Sequence, residues 1–296
     1  MSRLVWDKTS ERLYETGVKN CALYPWDDTI ISYKEADPKP TENTFSNGEY
    51  YTRSGSGTKE DPYVYAKANS FTANTDYYVV DKKGAYGKGV AWNGITAVNE
   101  TPTGAEATDL YADDMKYLSL LSAEELEGTI EAYMYPDEFE QCDGSATKDG
   151  ITFGQQSRKQ FCLAYITTVG NDVDNNDFGE KLHLLYNAKA SPSERAYATI
   201  NDSPEAITFS WSLKATKEKI SDAMKTAVKA IGIDLKDTAL ITISKKDKKG
   251  DLTKHYDEIY NAVFGTDGEN GEDGKDPKML MPDDICKILT RTNSDG

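Results

Sequence analysis

The stretch that decides the fold reads Phe161-Cys-Leu-Ala-Tyr-Ile-Thr-Thr168, then Gly170-Asn-Asp-Val-Asp-Asn-Asn-Asp-Phe-Gly179, then Leu182-His-Leu-Leu-Tyr-Asn-Ala188. Two runs of aliphatic, aromatic and threonine residues flank a polar segment rich in Asn, Asp and Gly. This pattern is typical of two antiparallel strands joined by a turn. We therefore predict a long β-hairpin over these residues.

Alternating patterns continue on both sides of this hairpin. Residues 126–135 alternate between an apolar face and a face that carries Glu127 and Glu131, and residues 206–213 and 239–243 read as further strands. The aromatic residues, 19 Tyr, 8 Phe and 4 Trp, fall in short runs separated by turn-forming residues. The fold class is therefore predicted to be mainly β, as an antiparallel β-sandwich or barrel-like domain.

Helical patterns are short. Residues 136–142 begin with proline and acids and stop before Asp143-Gly144, which predicts a flanking helix of one or two turns. Apolar residues at helical spacing predict two amphipathic helices, near 220–231 and 252–263.

The chain divides by composition into three parts. Residues 1–24 and 85–214 form a discontinuous β core, interrupted at 25–84 by a small β insertion that contains prolines and a Ser-Gly-Ser-Gly segment. Residues 215–296 form a C-terminal α/β extension with an acidic, glycine-rich loop at 265–276.

Charge is abundant and unevenly spread. The chain has 34 basic and 50 acidic residues, a net charge of −16, which argues against gripping nucleic acid through its phosphates. Residues 109–142 hold ten acids and one base, whereas residues 214–254 hold eleven lysines and six acids. This separation suits head-to-tail assembly of copies, and the alternative is a solvated lysine face.

Motifs for catalysis, metal binding and membrane insertion are missing from the sequence. It has no GxSxG, GxxxxGK[ST] or HExxH, and Asp172-Val-Asp174 opens like a calcium loop but has Asp177 where that loop needs glycine. Four scattered cysteines and two histidines predict no disulfide framework, metal site or cofactor. No run of about 18 apolar residues predicts a membrane span. Residues 1–8 lack a secretory leader, so we expect a soluble, non-enzymatic protein made in the cytoplasm.

Several strings follow one another in a recognisable order: Leu4-Val-Trp-Asp-Lys-Thr-Ser-Glu-Arg-Leu-Tyr-Glu-Thr-Gly-Val18, Gly89-Val-Ala-Trp-Asn-Gly-Ile-Thr-Ala-Val98, and residues 104–117, 129–139, 153–156 and 201–210. In these strings the chain closely resembles the major tail protein, or tail tube protein, family of long-tailed phages and prophages of Gram-positive bacteria. The resemblance covers residues 1–24 and 87–214, while residues 25–84 and 217–233 depart from it.

The resemblance implies a structural subunit of the virion tail, assembled in the host cytoplasm. Six copies would form a ring, and rings would stack head-to-tail into a tube through which genome DNA leaves without specific binding. The tape measure protein and the tail terminator and distal tail proteins would be further partners. Two physical arguments agree with this role: pairing across subunits removes free strand edges, and an acidic lumen repels phosphate.

Two sets of residues follow as candidates. The lumen should be lined by acids of the 109–121 and 126–135 strands or of the long hairpin, namely Asp109, Asp113, Asp114, Glu127, Glu131, Asp172 and Asp174. Subunit contacts should involve aromatic residues of the same segments and of the N-terminus, namely Trp6, Tyr111, Tyr117, Phe161, Tyr165 and Tyr186. The 25–84 insertion is expected on the outer surface of the tube.

One alternative comes from a different class of protein. The many tyrosines also suit a β-rich surface or carbohydrate-binding module, either as the whole chain or as the insertion alone. That reading would need aromatic rings on an exposed platform, and the missing leader sequence argues against export.

Overall fold

The computed structural model describes residues 12–58, 61–104, 106–193, 195, 197, 199, 206–268 and 274–291. Contacts divide the chain into two compact units: the larger comprises Met1–Pro25 and Lys88–Gly296, and the smaller comprises Trp26–Gly87. The smaller unit occupies nearly the same residues as the insertion drawn from composition. The C-terminal residues 215–296 belong to the larger unit.

Strands hold 47% of the residues and helices 14%, which confirms the predicted mainly β class. The strands are β1 Tyr14–Glu35, β2 Tyr51–Ser54, β3 Val64–Lys67, β4 Tyr78–Tyr86, β5 Val90–Trp92, β6 Ile95–Thr103, β7 Ala107–Ala112, β8 Met115–Leu121, β9 Glu125–Ala132, β10 Ala146–Lys148, β11 Ile151–Phe153, β12 Phe161–Asn171, β13 Asn175–Pro192, β14 Phe209–Ala215 and β15 Leu240–Ser244. The helices are α1 Glu140–Asp143, α2 Asp222–Ala230, α3 Tyr256–Phe264 and α4 Pro282–Thr290.

The larger unit is built on one antiparallel sheet in the order β1-β12-β13-β14-β9-β6. Two further strands attach to it, since β15 pairs with β13 and β5 pairs with β1. Only the turn at Asn93-Gly94 separates β5 from β6, so this segment links the β1 side of the sheet to the β9 side. The sheet therefore doubles over on itself in a β-sandwich-like arrangement.

The core lies between the two halves of this folded sheet. Its centre is a cluster of fully buried aromatic rings in which Phe139 lies 4.4 Å from Trp92, 5.1 Å from Trp211 and 5.4 Å from Phe161, measured between ring centroids. Edge-to-face contacts of this kind add to the free energy gained by burying large rings. Phe139 reaches the core from a 3-10 turn, Asp137–Phe139, that leads into α1. The helix predicted at 136–142 is thereby confirmed.

Strand β12 is buried on both faces. Phe161, Leu163 and Tyr165 belong to the core cluster, and the alternate residues Cys162 and Ala164 are also fully buried. The second face lies beneath the helical segments, because the Tyr186 hydroxyl donates to Leu280 O at 3.0 Å and the buried Tyr24 hydroxyl donates to Val263 O. Burial on both faces explains why this strand reads as a continuous apolar run.

Most predicted elements of the larger unit are present, with shifted ends. The long hairpin forms as β12 and β13 with its turn at residues 172–174, and the two amphipathic helices form as α2 and α3. Strand β9 ends at Ala132 rather than at residue 135, and the next two residues, Tyr133 and Met134, are exposed. Helix α4 was not predicted.

The smaller unit is a four-stranded antiparallel sheet in the order β3-β2-β4-β1, to which β1 contributes its residues after Pro25. Tyrosines on neighbouring strands pack together on one face, where Tyr33 stacks on Tyr65 with ring centroids 4.2 Å apart and contacts Tyr51 edge-on at 4.9 Å. The Arg53 guanidinium lies over the rings of Tyr63 and Tyr78.

Candidate functional site

Among the described residues, a large group of exposed apolar side chains lies on the hairpin of β7 and β8, which we call the arm (residues 107–121). The two strands pair with each other in a sheet of their own. Asp113 and Asp114 form its turn with φ values of 48° and 58°, the geometry of a tight hairpin turn with two left-handed residues. At its base, Ser122 and Glu106 are joined by hydrogen bonds in both directions.

Pairing in the arm sorts its side chains onto two faces. Cross-strand partners share a face, and the pairs Thr108–Leu120, Leu110–Leu118 and Ala112–Met115 therefore form an apolar face. The opposite face is polar: Lys116 Nζ lies 2.7 Å from Asp109 Oδ1, and the Ser119 hydroxyl donates to the same carboxylate. These two contacts, that of Lys116 first, lower the pKa of Asp109.

The apolar face of the arm is uncovered. Exposed fractions are 43% for Leu110, 69% for Met115, 38% for Leu118 and 54% for Leu120. No residue of 107–120 is buried, and only Asp109 is even half-buried. Four large apolar side chains on one face of a two-stranded sheet form an exposed apolar patch of a kind that is common at interaction surfaces.

The acids predicted for the lumen lie in three different places. Asp109, Asp113 and Asp114 belong to the arm, Glu127 and Glu131 lie on the solvent side of β9, and Asp172 and Asp174 lie in the β12–β13 turn. In that turn the Asn171 amide nitrogen donates to Asp174 Oδ2 at 3.0 Å, and Asn171 Oδ1 accepts from the backbone N–H of Val173.

The acidic and basic segments meet within the chain. Strands β9 and β14 are neighbours in the sheet, and Glu127 faces Lys214 across them. Lys214 Nζ lies 2.5 Å from Glu125 Oε2 and 3.8 Å from Glu127 Oε1. These groups are about half exposed, so the pairs stabilise the fold little. They nevertheless offset part of the charge separation that the sequence placed in two distinct segments.

The aromatic residues predicted for subunit contacts divide by burial. Tyr111 and Tyr117 are 71% and 73% exposed on the arm. Phe161, Tyr165 and Tyr186 are buried inside this chain, at most 2% exposed, and so have no surface left for contact with another subunit. The alternation that made them candidates also suits a strand buried on both faces. Trp6 lies outside the described residues.

A network of polar side chains joins four strands at one end of the core. His183 Nε2 lies 2.9 Å from the Thr167 hydroxyl and 3.2 Å from Glu15 Oε1, and His183 Nδ1 lies 3.3 Å from Glu100 Oε1. The Tyr165 ring stacks on the imidazole at 4.7 Å, and its hydroxyl donates to Glu100. Sequence reasoning missed this network, because its members are up to 168 positions apart.

The network also shifts the protonation of its carboxylates. The contact with His183 lowers the pKa of Glu100, against burial, and the Tyr165 hydroxyl adds to the lowering. Thr167, His183 and Glu100 have the hydroxyl–imidazole–carboxylate order of a hydrolase triad. However, the Thr167 hydroxyl also bonds to Glu15, which holds it inside the network. The arrangement links β1, β6, β12 and β13 through side-chain contacts.

The remaining chemistry-bearing groups are enclosed. All four cysteines, Cys21, Cys142, Cys162 and Cys286, are buried as thiols. Burial raises the pKa of Cys21 and Cys142 to about 12. In the part of the chain that the structure describes, no three His, Cys, Asp or Glu side chains are grouped so as to hold a metal ion.

Two further findings bear on function. Within the described ranges, no helix is both long and apolar enough to cross a membrane. No protein-family model matches the chain, and no curated protein matches it in sequence.

Proposed function

We propose that this chain is a self-assembling structural subunit, and specifically the tube subunit of a phage or prophage tail. The observation that carries the proposal is the bare apolar face of the arm. A monomer gains nothing by exposing Leu110, Met115, Leu118 and Leu120 together, whereas a subunit buries them against its neighbour. The resemblance of the sequence to tail tube proteins names the kind of assembly.

The solvent side of the sheet supports the second part of the proposal, a channel that DNA passes without being held. Across β6, β9 and β14 this side presents small polar residues, among them Asn99, Thr129 and Ser212. Glu131 lies on the same side, between Ala97 and Ser210 on the flanking strands. A wall of hydroxyl and amide groups with scattered carboxylates lacks the clustered cations that bind phosphate.

The carbohydrate-binding alternative gains little from the tyrosines of the smaller unit. Saccharides stack on open ring faces, yet Tyr33 and Tyr65 stack on each other with their planes 12° apart. One face of Tyr63 is likewise covered by the Arg53 guanidinium, 4.3 Å from the ring centroid. These ring faces are therefore occupied by contacts within the chain and are not open for a saccharide to stack on.

The test is assembly of the purified protein and of two matched variants. We expect the wild type to form rings or tubes in negative-stain microscopy and to sediment far above the monomer mass. Leu110→Asp combined with Leu118→Asp places two charges on the apolar face and should reduce assembly at least tenfold. The melting temperature should not change, because neither side chain is buried.

Tyr111→Asp is the control on the opposite face of the same strand. Tyr111 is 71% exposed and pairs with Lys116 on the polar face, so assembly should survive this change. Survival would remove Tyr111 from the residues predicted to form subunit contacts. Wild-type protein that stays monomeric at high concentration would contradict the proposal, and equal loss in both variants would remove the apolar face as its basis.

A further inference from the structure

Strand β15 borders an apolar groove in the larger unit. It pairs with β13 alone and places Ile241 and Ile243 opposite Leu184 and Leu182, on the side of the sheet that α3 and α4 cover. Between this strand and the two helices lies a groove of about 340 Å³. Its apolar lining includes six aliphatic residues, Ile241, Ile243, Ile259, Ile285, Ile288 and Leu289. Leu289 is 39% exposed, so the groove is open to solvent.

The outer edge of β15 offers backbone groups as well. Tyr186 N donates to Ala239 O and Lys245 N donates to Glu180 O, both at 2.9 Å, which sets the phase of the ladder with β13. In an antiparallel pair, bonded residues alternate with residues whose N–H and C=O point away from the partner strand. Thr242 is one of the latter, directly opposite His183.

The flanking outward positions are already occupied. The Thr238 hydroxyl bonds to both backbone groups of Leu240, and the Thr253 hydroxyl donates to Ser244 O. Among the described residues, no group forms a hydrogen bond with the backbone N–H or C=O of Thr242, and Thr242 is exposed to solvent. Side chains thus occupy the outward backbone groups at both ends of this edge. At its centre the backbone of Thr242 is free to form hydrogen bonds with an added strand.

The arm of another copy matches this groove in form. Each of its strands has one free edge, and six-residue β7 spans roughly 20 Å against roughly 17 Å for five-residue β15. If the arm adds to the edge of β15, its apolar face is continuous with Ile241 and Ile243 under α4. The apolar face of the arm is exposed in the single chain, and the groove is apolar and open to solvent at Leu289, so the two surfaces are complementary.

Charge also matches. The turn of the arm carries Asp113 and Asp114, for which no ion pair is found in the described part of the chain. Lys254 and His255 line the groove at its β15 end, and Lys254 is exposed. Opposite charges at the rim of an apolar contact fix its orientation and add modestly to affinity.

We propose that the groove between β15, α3 and α4 is the acceptor for the arm of a neighbouring copy. This inference rests on the proposed self-assembly and names the two surfaces that meet. Arm and groove are different patches of one chain, so the contact is head-to-tail, and such contacts propagate into rings or filaments.

Cysteine cross-linking of two single variants tests the contact directly. Leu118→Cys places a thiol on the apolar face of the arm, and Leu289→Cys places one on the rim of the groove. The four native thiols are buried and compete little. After the two variants are mixed and treated with a short bismaleimide, we expect a mixed dimer whose cross-linked peptide joins positions 118 and 289.

The matched control pairs Leu118→Cys with Ile151→Cys, which is 62% exposed on β11, outside the groove lining. We expect at least tenfold more mixed dimer from the groove pair than from this control. If the wild type assembles but the two yields are equal, the groove is not the acceptor, although self-assembly stands. If the wild type does not assemble, both proposals fall.

Discussion

Glu100 holds its charge because of the residues that face it. Its carboxylate contacts His183 Nδ1 at 3.3 Å and accepts a hydrogen bond from Tyr165, while Glu15 lies at the other imidazole nitrogen. Lys181 also bonds to Glu15. The network thereby places two carboxylates, a histidine and a lysine at one end of the core. The contribution of this network to the stability of the fold therefore depends on pH.

The direction follows from the lowered pKa of Glu100. The folded protein binds the proton of this group less tightly than the unfolded chain does. Stability from Glu100 is therefore complete above its ordinary pKa of about 4.5 and is lost as the pH falls through the lowered value. We expect the urea concentration at which half of the wild type is unfolded to decrease when the pH is lowered below about 4.5.

The variant Glu100→Gln should lower stability at neutral pH by about 1–2 kcal/mol, because a charged hydrogen-bond acceptor is lost. Its urea midpoint should also decline less steeply below pH 4.5. Glu138→Gln, an exposed carboxylate on the 3-10 turn, is the control and should follow the wild type. Parallel pH profiles for all three proteins would show that Glu100 contributes nothing to acid unfolding.

Among the elements, the β6–β9 pair depends on one glycine. Gly128 pairs with Glu100, and a Cβ at this position would lie 2.2 Å from the backbone oxygen of Asn99. Gly128→Ala must therefore push β6 away from β9. We expect a loss of about 1–3 kcal/mol in the free energy of unfolding, measured by urea denaturation.

Gly179→Ala on β13 is the matched control for Gly128→Ala on β9. The nearest atom to its Cβ would be Lys246 Cβ at 3.7 Å, an ordinary contact distance. Its stability should stay within about 0.5 kcal/mol of the wild type. A neutral Gly128→Ala would mean that the close approach of the two strands is not required.

At the scale of the whole molecule, the smaller unit is inserted between two positions of the larger one. Trp26 and Tyr86, near its two ends, are direct cross-strand partners, so the chain leaves and re-enters at neighbouring points. We expect that replacing residues 26–87 with a short Gly-Ser linker leaves a folded protein that still assembles. Circular dichroism, thermal melting and negative-stain microscopy check this.

Loss of the melting transition in the deletion protein would show that the smaller unit is needed for folding. A folded deletion protein that no longer assembles would place a subunit contact in residues 26–87. The second result would contradict the proposal that the arm and the larger unit carry assembly, and the first would contradict the expectation that the larger unit folds without residues 26–87.

Local sequence signals were sufficient for β9, for the β12–β13 hairpin and for the first helical turn. The period-two alternation of β9 set Ile130 and Ala132 inward and Glu127 and Glu131 outward, as observed. Turn residues marked the β12–β13 hairpin, and proline with acids marked the start of the helical turn after residue 136. These features depend on neighbours within a few positions, which the sequence contains directly.

Placement of charge and of aromatic side chains was beyond local reasoning. Lys214 neutralises part of the acidic segment because β14 pairs with β9, a contact between residues nearly ninety positions apart. Tyr186 is interior because the helical segments cover the second face of the sheet, and Tyr165 is interior because it packs in the core between the two halves of the sheet. Neither fact has a local signal, since an alternating strand reads the same whether its polar or apolar face meets solvent, a helix or another subunit.

Composition and periodicity alone predict a mainly β chain, an insertion near residues 25–84 and a net charge of −16, because these features depend on residues that are close in the sequence. The three-dimensional fold is needed to see that one uncovered face is shared by Leu110, Met115, Leu118 and Leu120, while the apolar strands of the long hairpin are enclosed. The physical reason is that burial depends on what packs against a face, and packing partners are set by the fold of the whole chain.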